Sequence, residues 1–397
     1  IEKGRKIIFV KMELIQMKRI IAVIILGTLI AFSMTGCSKK FTRNDGINSE
    51  MNNGESVENN EQTGTEDEGT GNSEKGLENP DDKDDNADDI DIYTIKPNEA
   101  GKVMVVMFHR FVESFTPSSS DDGQFVTTFD NFRALLQKLY DKNYRLISLN
   151  DYLTNNIDVP AGCIPMVFTF DDGTSGQFNL IEKDGELVVN PKSAVGIMEE
   201  FYKTHPDFGL EGTFYVNLGA DTFAGSGTLE QRLNYLIEKG FEIGNHTMTH
   251  INLSTAKSVD EIKKEVGGNQ KILNSIIEGY TMNSLALPYG SHAPKGMEDS
   301  VISGTYEGVE YKNLAVLEVG AGPTVSPVSK NSKPTSMSRV RATGMINVDC
   351  DLDWWLERLT RDQQYISDGN PNKVTIPKSE ENNIDMEKLQ GKQLVIY

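Results

Sequence analysis

Past Pro97 the chain switches repeatedly between short apolar runs and stretches whose apolar residues recur at helical spacing. That alternation restricts it to a parallel β/α architecture. Residues 102–108 (KVMVVMF) are almost continuously apolar, the pattern of a strand covered on both faces. Similar runs predict strands over 145–148, 164–170, 212–217, 241–244, 284–287, 314–317 and 339–342. Helical spacing predicts helices over 129–140, 194–202, 229–239, 259–277 and 352–361. Asp184-Gly185, between residues 178–182 and 186–189, predicts a β-hairpin. This many strand–helix units predict an α/β fold with a closed or nearly closed barrel. In such folds the chemistry sits where the strands end, so polar groups should cluster there.

They do. His109 follows the first strand, and Asp171 and Asp172 follow the strand over 164–170. His246 and His250 follow 241–244, and Tyr289 and His292 follow 284–287. Only His205, of five histidines, lies elsewhere. In a helical turn the four-residue spacing of His246 and His250 would put both imidazoles on one side, one metal ion apart, although such a pair alone is a weak signal. A catalytic zinc commonly takes a third protein ligand and keeps an open position for water, and Asp172 can supply that ligand. Two adjacent carboxylates ending an apolar strand can divide the work: one binds a cation, the other stays free as a base. The bland alternative is a capping turn, with Gly173 permitting its tight geometry.

Charge is unevenly spread. The net charge is −20. Residues 1–37 carry six basic and two acidic side chains, residues 38–97 six and 17, and residues 98–397 27 and 40. No basic footprint for nucleic acid exists, and an acidic body favours neutral or cationic substrates. Residues 38–97 hold few apolar side chains, too few to offset the entropy of folding, and read as an acidic, self-repelling linker. Ahead of it, Lys18-Arg19, the apolar run 20–32 and Thr35-Gly36-Cys37 resemble a bacterial lipoprotein signal, too short for a comfortable membrane span. Met34 departs from the Leu usual three positions before the cysteine. The expected organisation is upstream residues and signal over 1–36, a lipidated Cys37 with its linker to residue 97, and one catalytic domain over 98–397. Met17 is the expected start, with residues 1–16 as upstream read-through. The protein is then expected to be exported and anchored in a bacterial cell membrane through lipid on Cys37, facing outward, as a monomer. Cys163 and Cys350 are expected as buried thiols, a disulfide between them being the alternative.

Three segments, in order, carry a family resemblance. Residues 169–173 (TFDDG), 246–250 (HTMTH) and 288–290 (PYG) resemble the first three motifs of the polysaccharide deacetylases with NodB homology, carbohydrate esterase family 4. A literal match to TFDDG arises by chance on the order of 10⁻⁴ in a chain this long. The resemblance spans roughly residues 100–345 by the strand pattern. It implies a distorted (β/α) barrel with Asp171 as general base and Asp172, His246 and His250 as ligands of one divalent metal ion. Zinc is expected, with Co²⁺, Ni²⁺ or Fe²⁺ as alternatives. The Tyr289 backbone N–H would help bind the oxyanion. Two departures matter. The Arg that steadies the base in the third motif is replaced by Ala286, and no histidine follows His292 to act as the late catalytic acid. Residues 103–109 (VMVVMFH) are similar to that final motif placed at the front. This resembles the circularly permuted branch of exported poly-N-acetylglucosamine deacetylases, which implies His109 as general acid and a later Arg as the substitute: Arg339 first, Arg341 second. His292 is expected in a loop role, and Asp351 as a helix N-cap rather than a catalytic group.

The reaction so implied is removal of N-acetyl groups from an envelope or extracellular amino-sugar glycan. The alternatives are an O-acetyl esterase acting on acetylated polysaccharide, and a lipoprotein that binds glycan without turnover.

Overall fold

The computed structural model describes residues 91–343 and 348–397. The expected signal, Cys37 and nearly all of the acidic linker lie outside the described residues. Eight parallel strands form the main sheet: β1 (Met104–Phe108), β2 (Tyr144–Leu146), β3 (Ile164–Asp171), β4 (Thr213–Val216), β5 (Glu242–Asn245), β6 (Ser284–Ala286), β7 (Ala315–Leu317) and β8 (Val340–Arg341). Their order is β7-β6-β5-β4-β3-β1-β8, with β2 added on β3. The longer helices are α1 (Phe129–Asp141), α2 (Ala194–Tyr202), α3 (Leu229–Glu238), α4 (Val259–Ile276) and α5 (Leu352–Arg358).

One short segment joins the two edges of this sheet. Met337 bridges Leu317 of β7 in parallel, and three residues later Val340 pairs with Val106 of β1. Backbone N–H and C=O groups alternate sides along an extended chain, so residues 337–341 pair first with one edge and then with the other. The sheet curls round to this seam.

The two-residue period of a strand decides what faces the interior. Met104, Val106 and Phe108 of β1, with Met166, Phe168 and Phe170 of β3, join an aromatic-rich outer core that also takes up Phe132 and Leu136 of α1 and Val195 and Met198 of α2. Val105 and Val167 point the other way, into a smaller cluster with Tyr215, Ala286, Leu317 and Met337. Burial on both faces is why these strands read as unbroken apolar runs. The same parity carries Thr169 and Asp171 inward at the end of β3, where every residue is buried.

Side chains start the helices where the sequence predicts. Thr128, Ser193, Thr228, Ser258 and Asp351 each accept a backbone N–H at the N-cap of α1 to α5 in turn. Asp351 is therefore a cap, as expected. The hairpin forms at Asp184-Gly185, both at positive φ. Helix α5 ends at Arg358, short of the predicted residue 361. The sequence reading missed the hairpin of Ser303–Tyr306 with Val309–Lys312, and the parallel pair of Lys373–Ile376 with Gln393–Ile396. Cys163 is buried and Cys350 partly so, with no disulfide between them.

Candidate active site

Asp171 lies inside the sheet's curl with an exposure of 1%, beside an Arg339 side chain of 0%. The guanidinium grips the carboxylate with two bonds, Nη1 to Oδ1 and Nη2 to Oδ2, each 2.7 Å. It also donates to Thr169 Oγ1 at 3.1 Å and, through Nε, to the Glu318 carbonyl at 2.9 Å. This fork geometry is available to Arg and not to Lys. Burial alone would raise the Asp171 carboxyl, but Arg339, with His246 and His109, outweighs it and holds the group below the usual carboxylate range. Arg341, the second choice from sequence, is elsewhere: it donates to Gln124 Oε1 at 2.7 Å and lies over the Phe125 ring.

Asp172 turns the opposite way. Its φ of 80° is a left-handed conformation that a residue with a Cβ resists, and Gly173 follows at φ 62°. The carboxylate Oδ1 lies 3.4 Å from His246 Nε2 and 3.3 Å from His250 Nε2. The three ligand atoms fall within 4.8 Å of one another. His246 is buried, while His250 and Asp172 keep about a third of their side chains exposed, so the trio has an open side. His246 and His250 do not share a helical turn. Thr247 and His250 both have positive φ (61° and 57°), and a bend rather than a helix brings the rings together.

The trio's chemistry fits a cation. His246 Nδ1 is 2.8 Å from the Ala286 carbonyl. A carbonyl only accepts, so Nδ1 carries a proton and Nε2 offers its lone pair toward Asp172. A lone pair facing a carboxylate oxygen at this distance is repulsive unless a proton or a metal ion lies between them. Burial pulls the His250 pKa down to about 4, which favours the neutral, ligating ring.

His109 comes in from β1. Its Nε2 is 3.8 Å from Asp171 Oδ2, beyond hydrogen-bond length, and its ring meets the edge of Phe125 with centroids 4.7 Å apart. Among the described residues its buried Nδ1 finds no hydrogen-bond partner. Burial lowers its pKa against the pull of Asp171 and Asp172, so the ring holds its proton loosely. Tyr289 also takes a left-handed conformation, φ 59°, and its ring packs on that of His250 at 4.7 Å. Asp172, Thr247, His250 and Tyr289 thus concentrate backbone strain around one point, as functional sites do. His292 stands apart on the surface, 3.1 Å from Glu318 Oε1.

Sequence reading overlooked Gln177. It is fully buried, and its Nε2 donates to the carbonyls of both His109 (2.6 Å) and Asp171, tying together the ends of β1 and β3. An uncharged residue in a loop gave no signal. Its importance comes from where two strand ends fall.

Residues 158–301 match the family model for polysaccharide deacetylases. The match spans a little over a third of the chain. It includes Asp171, Asp172, His246, His250 and Tyr289, while His109 and Arg339 lie outside it. Among solved structures, a polysaccharide deacetylase from Bacillus cereus is similar at 18% identity, with 64% of this chain and 68% of that one covered and a TM-score of 0.47. A Streptococcus pyogenes deacetylase in complex with acetate gives 17%, 65%, 98% and 0.47 for the same four measures. IcaB from Ammonifex degensii gives 17%, 61%, 92% and 0.41. No curated protein matches the chain. The parallel sheet curled with its helices is the (β/α) barrel expected from the sequence.

Proposed function

We propose that this protein is a metal-dependent N-deacetylase of an exported amino-sugar glycan. One observation carries the reading: consecutive carboxylates, Asp171 and Asp172, are turned to different partners. Arg339 holds the first as an ionised base, and two imidazoles meet the second. A divalent cation held by Asp172, His246 and His250 would acidify a water molecule and polarise the acetyl carbonyl. Zinc suits two imidazoles and one carboxylate.

The chain's own groups supply the rest. Asp171 takes a proton from the attacking water, its oxygens oriented by the Arg339 fork. The backbone N–H of Tyr289 donates to the oxygen that becomes negative as the carbonyl carbon turns tetrahedral. His109 delivers a proton from Nε2 to the sugar nitrogen as the C–N bond breaks, leaving acetate and a free amine. The placement of β1 between β3 and β8, parallel to both, supports a permuted order in which the first strand brings the acid. The acidic body suits a glycan that gains positive charge as it loses acetyl groups.

Acetate release should be measured on N-acetylated amino-sugar oligomers and on O-acetylated xylan, before and after chelation. Turnover of the first, lost with chelator and restored by zinc, is expected. Turnover of xylan alone would replace this reading with the esterase. No turnover of either would sink both. His246→Ala should lose most of the metal by elemental analysis, because it removes the most buried ligand. Stoichiometric metal in an Asp172→Ala/His250→Ala variant would overturn the ligand assignment. We also propose lipid attachment at Cys37, supported by the basic pair, apolar run and Gly36-Cys37. Cys37→Ala should then be released from membranes or left unprocessed. Identical partitioning and migration of the two forms would refute it.

A further inference from the structure

We propose that Glu265, in the middle of α4, is a positioning residue that fixes His250 as a metal ligand; this rests on the metal-site reading above. The loop from His246 to Thr249 has almost every backbone polar group accounted for. His246 N–H donates to the Val216 carbonyl at 3.2 Å, and Asn217 Nδ2 donates to the His246 and Thr247 carbonyls. Thr247 N–H donates to Asn245 Oδ1 at 2.9 Å, and the Met248 carbonyl accepts Gly219 N–H at 2.9 Å. The remaining anchors before His250 come from Glu265. Its main-chain carbonyl accepts Met248 N–H at 2.8 Å. Its carboxylate accepts Thr249 N–H at 2.9 Å, and the Thr249 hydroxyl at 2.9 and 3.0 Å.

Two facts make this more than packing. His250 sits at φ 57°, a conformation that persists only where its surroundings impose it, and Thr249 is the residue those surroundings hold. The Glu265 carboxylate is also buried with an exposure of 6%, and among the described residues no basic side chain pairs with it. A buried anion is costly unless hydrogen-bonded or near a positive charge. Here it faces only the Thr249 donors, on the loop that carries the ligands.

The test is metal affinity, read without turnover. Metal-stripped wild type, Glu265→Ala and Glu265→Gln are titrated with zinc against a chromogenic chelator, and each is melted with and without zinc. In Glu265→Ala the bond from Met248 to the main chain survives, so the stripped protein should melt close to stripped wild type. Its zinc dissociation constant should rise by about 10–100-fold, and zinc should raise its melting temperature less. Glu265→Gln, whose amide oxygen can still accept Thr249 N–H, should fall between the two. Zinc binding by Glu265→Ala within about two-fold of wild type would overturn the proposal and leave the metal site standing. If Glu265→Ala does not fold, Glu265→Gln decides, and wild-type affinity in it overturns the proposal. Wild type that binds no zinc removes the metal-site reading and this one with it.

Discussion

Replacing His109 with Ala should leave the metal in place and cut acetamide hydrolysis by about 10²–10⁴-fold. An amine is a poor leaving group until its nitrogen is protonated, and His109 Nε2 is the ring nitrogen nearest the base, 3.8 Å from Asp171. Its other nitrogen is buried and cannot reach substrate. An acetate ester of an acidic phenol, which departs without a proton, should lose far less activity. His292→Ala should cost little, because His292 is more than half exposed and its partner Glu318 is a surface ion pair worth at most about 1 kcal/mol. The reverse ranking, with His292→Ala crippled and His109→Ala mild, would overturn the acid assignment and the permuted order together.

Arg339→Met should be the most destabilising change at the site. It leaves the Asp171 carboxylate buried with its forked partner gone, a loss of about 3–5 kcal/mol. The sign with pH follows from the direction of the shift. Asp171 is held below its ordinary range, so the pair's contribution is present above the unfolded carboxyl pKa of about 3.9 and is lost as pH falls through the folded value. In Arg339→Met the carboxyl rises, and the acid limb of the activity profile should move to higher pH. Asp171→Asn/Arg339→Met should recover much of the stability and none of the activity, because the buried charge is gone along with the base. Denaturant melts and a pH–rate profile check this. A single variant within about 0.5 kcal/mol of wild type, with its acid limb unmoved, would show that the fork does not hold the base.

What could be read in the sequence follows physical lines. The strands β1 and β3 announced themselves because burial on both faces leaves their runs almost wholly apolar, and helical spacing predicted α2, which Ser193 caps, residue for residue. Asp171, Asp172, His246 and His250 were visible as reactive side chains at strand ends, and the structure brings Asp172 and both histidines together. The backbone between the histidines was misread. Four-residue spacing suggests a helical turn, but the conformation is set by Asn217, Asn245 and Glu265 reaching in from elsewhere. Those residues, like Gln177, matter through hydrogen bonds to distant main chain, and no local pattern records such a bond. The choice between Arg339 and Arg341 likewise needed coordinates: two residues apart, one grips Asp171 and the other leans on Phe125.

The seam at residues 337–341 sets an order of assembly. Asp171 and the guanidinium that grips it lie 168 residues apart, and Val340 finds its place only beside a first strand made long before it. Every proposed metal ligand precedes residue 251. A chain emerging amino end first during synthesis can therefore gather its cation-binding groups while its base still lacks a partner. Contacts so far apart in sequence form late, after their loop-closure entropy has been met. Hydrolytic competence would then arrive last, with the sealing of the barrel, so a nascent or truncated chain could hold metal without attacking a glycan.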